Sequence, residues 1–138
     1  MHPIMIQKDS SFFISYKDIG NVVSSIHKLA IDTEKMSAGL MEGYRGYPWV
    51  IMSFSKSNDI KYIFNCWRWK VTQDNENNII NILFSGQKLG DDFIFFNAIA
   101  PYVLENSFIE MMEENGEKWR WSFTNKQCKK LKPKIIWE

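Results

Sequence analysis

The 138-residue, 16.3 kDa chain is the size of one domain, so a single domain over 1–138 is expected. Its 45% apolar and 24% charged residues exclude a disordered or low-complexity chain. A formal charge of +1 excludes a polycation built to neutralise nucleic-acid phosphates or coat an anionic membrane.

Six Trp, five Tyr and ten Phe supply a sizeable core, since each aromatic buries roughly 150–250 Å². No run approaches the roughly 18 apolar residues of a membrane span. Met1–Phe13 lacks the basic region, apolar run and cleavage site of a signal peptide, so a cytoplasmic location is expected. Cys66 and Cys128 are too few for a disulfide framework and read as reduced, strand-borne thiols, with one disulfide between them as the alternative. There is no phosphate-cradling glycine loop, nucleophile elbow or zinc spacing. His2 lies at the terminus and His27 flanks the apolar stripe of a predicted helix. Hence no catalytic residue, metal ligand or cofactor is expected, although missing motifs do not exclude an enzyme.

In chain order, Ser15 is a natural N-cap and Asp18 completes a capping box, with Ile14 and Ile19 as a hydrophobic staple. Ile19, Val22, Val23, Ile26, Leu29 and Ala30 recur at helical spacing, which predicts a helix at about 16–32. Residues 33–48, with Gly39, Gly43, Gly46 and Pro48, read as a loop. Strands are then predicted at Trp49–Phe54, Tyr62–Val71 and Ile79–Phe84, the last two joined by the polar turn Asp74–Asn77. Beyond Gly90, Asp91 is a cap for a helix with Phe93, Phe96, Ala100, Val103 and Leu104 on one face, ended or kinked by Pro101, with a strand through Phe93–Phe96 as the alternative. A second meander follows at Ser107–Glu113, Lys118–Thr124 and about Gln127–Trp137, its first hairpin signalled by Asn115-Gly116. The expected fold is therefore α+β: an antiparallel β-sheet of two meanders and about six strands, packed with one or two α-helices.

Trp-Arg-Trp occurs twice, at Trp67–Trp69 and Trp119–Trp121, each on the middle strand of a predicted meander. On a strand both tryptophans of a copy share one face while Arg68 or Arg120 points to the other. They read chiefly as core; the competing reading is a base-stacking platform, which requires exposed indoles. A two-residue Asn115-Gly116 loop would set Glu113 opposite Lys118, Met112 opposite Trp119, Met111 opposite Arg120 and Glu110 opposite Trp121. Glu110 would then lie on the tryptophan face, where a carboxylate needs a partner or a function.

Charge is segregated. Residues 91–117 hold seven carboxylates and no Lys or Arg, whereas 118–138 hold seven basic residues against Glu138. Neighbouring strands would partly cancel the two; otherwise an acidic face suited to a basic partner remains. Its candidate contact residues are Asp91, Asp92, Glu110, Glu113 and Glu114.

The stretches Asn97–Val103 (NAIAPYV), Ser107–Met111 (SFIEM) and Asn115–Phe123 (NGEKWRWSF) resemble the C-terminal half of small bacterial immunity proteins of polymorphic and contact-dependent inhibition systems. The likeness covers about residues 91–138. It implies a cytosolic, non-catalytic protein that binds one-to-one to a co-encoded toxin domain, without membrane or nucleic acid. The alternative is a nucleic-acid-binding β-module using the tryptophans and the Lys-rich C-terminal strand. An enzyme ranks third, with Glu110 as its one carboxylate to test.

Overall fold

The computed structural model describes residues 4–35, 50–86 and 90–137, with side chains of 32–35 excepted. The chain opens with β1 (Met5–Ser11), which sequence reading passed over. Its partner is β4, about a hundred residues later, so no local turn signal announces it. Met5 and Gln7 face inward and Ile6 outward, and a bulge between Gln7 and Asp9 resets the register.

Helix α1 (Ile19–Lys35) follows a 3-10 turn at Tyr16–Asp18. The Ser15 hydroxyl accepts from the Lys17 N–H at 3.3 Å, and Asp18 N–H donates to the Ser15 carbonyl, so the start is a 3-10 turn rather than the expected reciprocal box. Val22, Val23, Ile26 and Ala30 are buried, with Ile19 and Leu29 packed beside them, as the periodicity predicts. The loop expected at 33–48 lies largely outside the described residues, and 33–35 remain helical.

The strands expected at Trp49–Phe54 and Tyr62–Val71 are corrected. Trp49 lies outside the described residues, and Met52–Lys56 forms a 3-10 turn that buries Phe54. Residues Ile60–Cys66 form α2, capped by Asp59, whose carboxylate accepts from Lys61 N–H at 3.1 Å. Ile60, Ile63, Phe64 and Trp67 recur at three- and four-residue spacing, and all are buried. A helical stripe and an N-cap outweigh the β-propensity of the aromatics. Trp67 closes α2, Arg68 turns the chain with φ 74°, and β2 (Trp69–Gln73) begins.

β2 pairs with β3 (Ile79–Phe84) as a separate two-stranded sheet, not a three-stranded meander. The Asp74 turn behaves as expected: its carboxylate accepts from Glu76 N–H and from the N–H and side-chain amide of Asn78. Two devices tie this hairpin to the larger sheet. Ile14 exchanges two 2.9 Å backbone hydrogen bonds with Ile79. The Gln7 amide donates to the Ile82 carbonyl at 2.9 Å and accepts from Phe84 N–H.

Helix α3 (Asp92–Ile99) ends in a 3-10 turn at Ala100–Tyr102 containing Pro101. Its buried face is Asp92, Phe95, Phe96, Ile99 and Ala100; Phe93 and Leu104, expected inside, are exposed. The last meander is present as β4 (Ser107–Glu113), β5 (Lys118–Thr124) and β6 (Gln127–Leu131), the last ending at Leu131 and not at the expected Trp137. The four-stranded antiparallel sheet has the order β1-β4-β5-β6, so the fold is α+β with six strands and three α-helices among the described residues.

All four tryptophans of the repeated tripeptide are 3% exposed or less. Only the second copy lies on a strand; the first straddles the α2–β2 turn. Adjacent Phe95 and Phe96 of α3 connect them. Trp67 stacks on Phe95 at 5.1 Å, while Trp69 and Trp121 pack on Phe96 at 5.0 and 5.6 Å. The indoles are thus core, and a stacking platform built from them is closed.

Candidate functional site

The β4–β5 hairpin decides where most of the acidic candidates point. Gly116 N–H donates to the Glu113 carbonyl at 2.8 Å, Glu113 N–H donates to the Glu117 carbonyl at 2.8 Å, and Gly116 alone in the loop has positive φ, 92°. This is a three-residue loop, a type I turn followed by a glycine bulge, in place of the expected two-residue turn. The register moves by one. Met112 faces Lys118, Met111 faces Trp119, Glu110 faces Arg120 and Ile109 faces Trp121.

A one-residue shift exchanges the faces of a strand. Glu110 therefore leaves the tryptophan face and shares the outer face with Phe108, Met112 and Arg120. Arg120 reaches its carboxylate from Nε and Nη2, both at 3.0 Å, and the guanidinium lies 4.6 Å from the Phe108 ring centre. That pairing answers the need for a partner.

Asp92 is also committed. It is 1% exposed and accepts from Arg68 Nη2 at 3.1 Å, Trp69 Nε1 at 2.9 Å and Gly90 N–H at 3.4 Å. Burial pushes its carboxyl above the usual range, and Arg68 and the indole N–H oppose that shift. Contact with a partner is not open to it. Asp91 occupies the N-cap position of α3 but makes no side-chain cap bond. It is half-buried, and burial, then the neighbouring Asp92 charge, raises its carboxyl.

Glu113 and Glu114 remain at the surface of the hairpin tip, joined by Glu117, which the sequence-derived set omitted. Glu114 is fixed to the start of β1: its carboxylate accepts from Ile4 N–H at 3.2 Å, and its own N–H donates to the Ile4 carbonyl. The five candidates thus do not form one surface. Two are internally paired, Asp91 starts α3 behind the sheet, and two stand on the tip. Glu117 closes the three-residue turn opposite Glu113, and its signal in the sequence was its place among the seven carboxylates of 91–117.

Elsewhere the chemistry is structural. His27 Nε2 lies 2.8 Å from the Ser57 carbonyl and ties α1 to the segment before α2. Both cysteines are free and buried; Cys66 ends α2 rather than lying on a strand. Burial pushes the Cys128 thiol up to about 12 and raises that of Cys66. Among the described residues, no three His, Cys, Asp or Glu gather to hold a metal ion, and no helix is long and apolar enough to cross a membrane. Compared with protein families, characterised proteins and solved structures, the chain matches none.

Proposed function

We propose that the protein is a cytoplasmic immunity protein that binds a co-encoded bacterial toxin domain one-to-one and blocks its activity. The observation that carries this reading is the hairpin tip, where Glu113, Glu114 and Glu117 stand within five residues on the β4–β5 turn. The C-terminal sequence resemblance supports it. Toxins that act on nucleic acid carry basic clefts, and an acidic tip complements such a cleft. Complementary charge chiefly raises the association rate and makes it salt-dependent.

The test is association with the toxic C-terminal domain encoded by the adjacent gene, at low and high salt. Reversal of Glu113, Glu114 and Glu117 to Lys should slow association about tenfold or more at low salt and flatten its salt dependence. Equal rates for both proteins refute the acidic tip as the steering surface. Absence of any binding to that domain refutes neutralisation itself.

A further inference from the structure

β6 is an edge strand of the four-stranded sheet. It follows β5 through a two-residue turn at Asn125 and Lys126, both at positive φ (53° and 61°). The flanking pair Thr124–Gln127 is therefore hydrogen-bonded, as are 122–129 and 120–131, and the backbone groups of Cys128 and Lys130 point away from β5. One outward group is already matched, since Cys128 N–H donates to the Asn97 side-chain carbonyl at 3.4 Å. Towards its end the edge is open at Lys130.

The end of β6 has a physical cause. Continuing the register places Pro133 opposite Lys118, at a position where an N–H must donate to β5, and proline has none. The chain leaves the sheet after Leu131 and uncovers the start of β5. Two adjoining cavities of about 310 and 360 Å³ open there, both bounded by Lys118, Trp119, Lys132 and Pro133. The first adds Glu110, Arg120 and Leu131 on the outer face of the sheet. The second adds Lys130 with Glu113 and Glu117 towards the tryptophan face.

Successive side chains of a strand point to opposite faces. A strand laid along this edge would present alternate side chains to the two faces of the sheet, on which the two cavities lie. Lysines dominate the edge: Lys129, Lys130, Lys132 and Lys134 lie within six residues, and 118–137 contain no acid. Lys130 is itself positioned, with Nζ 4.7 Å from the Trp119 ring centre. Past the end of the strand, Ile135, Ile136 and Trp137 are 80%, 80% and 91% exposed and offer apolar contact area beside it.

We infer that the β6 edge receives an extended acidic segment of a partner protein, added as a fifth strand, with its carboxylates at Lys130 and Lys132 and an apolar side chain at Leu131. Main-chain bonds supply affinity in such strand addition, and the two cavities supply selectivity. The second cavity shares Glu113 and Glu117 with the acidic tip, but the inference is read from a peptide at β6 and not from the toxin domain, so it can fail or hold independently of the neutralisation reading.

A capped peptide of about eight residues alternating Glu and Val serves as the probe, with binding followed by Trp fluorescence and by amide chemical-shift changes. Shifts should concentrate at residues 128–134. Lys130→Pro, which removes the outward N–H together with the Lys130 ammonium, should weaken binding more than Lys130→Gln, which removes the ammonium alone, and by about tenfold relative to wild type while the melting temperature holds. Should that variant melt early, K130Q/K132Q gives the same readout with the backbone untouched. The inference is overturned by equal binding of a Gln-for-Glu peptide, or by shifts that fall elsewhere. It is likewise overturned if anionic phosphatidylglycerol vesicles bind this segment while the peptide does not, or if the wild-type chain dimerises through β6.

Discussion

Arg68 places its Nη2 between the two carboxylate oxygens of Asp92, at 3.1 and 3.3 Å, from a backbone turned to φ 74°. The neighbouring Trp69 indole donates to the same carboxylate at 2.9 Å. The α2–β2 turn therefore holds the first residue of α3, and α3 carries the two phenylalanines on which the core converges. Asp92→Ala removes the carboxylate that binds the guanidinium directly and leaves the charge of Asp91 nearby. The expected loss is about 3–5 kcal/mol in urea unfolding. A loss under about 1 kcal/mol, the range of an exposed pair, would show that the pair does not hold α3.

Asp91 acts in the opposite sense. Burial and the adjacent Asp92 charge raise its carboxyl in the folded chain, against partial relief from Arg68. A raised acid binds more protons folded than unfolded. Stability therefore falls as pH rises from the ordinary carboxylate range, about 4, through the raised value, and is fully reduced above it. Asp91→Asn should melt higher than wild type at pH 7, and the difference should close below about pH 4. A variant that melts lower at pH 7 would mean that the Asp91 charge favours the helix N-terminus more than burial penalises it.

Trp121 contacts Phe96 at 5.6 Å and stacks over Phe93 at 6.0 Å, so its indole closes the sheet against α3. Trp121→Ala should cost about 3–5 kcal/mol. An unchanged melting temperature would remove this indole from the core.

The thiols offer a check on the same packing. Cys66 and Cys128 are buried and both are pushed up, Cys128 to about 12. Thiolate is the reactive form, so an aromatic disulfide reagent at pH 8 should label neither in the native protein and both in denaturant. Rapid native labelling of Cys128 would show that the β6 edge opens readily.

How far the sequence reveals this molecule depends on the range of each interaction. The α1 stripe from Ile19 to Ala30, the Asp74 turn and the β4–β6 meander are legible because their signals lie within one element or one turn. β1 is not, because its order comes from β4 and from Gln7 bonding to β3, neither of which is local. Helix α2 was masked by β-propensity at Tyr62 and Phe64, although Asp59 and the Ile60–Ile63–Phe64–Trp67 spacing carried the correct signal. The candidate site suffered most from a single residue of register. Asn115-Gly116 suits a two-residue turn, and only Gly116 takes positive φ, so Glu110 moves from the indole side to Arg120. The burial of Asp92 was invisible because its partners sit 23 and 24 residues away.

Gly116 tests that register directly. At φ 92° it occupies backbone space that a β-carbon disfavours, yet a β-carbon built there meets no atom within 4 Å. Any cost of substitution is therefore conformational rather than a clash. Gly116→Ala should lose about 1–2 kcal/mol. Gly116→Asn should lose less, because asparagine tolerates left-handed backbone. Both variants keep Glu113, Glu114 and Glu117, so charge-dependent binding should survive wherever the hairpin stays folded. The expected order of melting temperatures is Gly above Asn above Ala. Equal losses for Asn and Ala would show that backbone conformation is not what glycine supplies, and the three-residue loop that carries the acidic tip would then need another explanation.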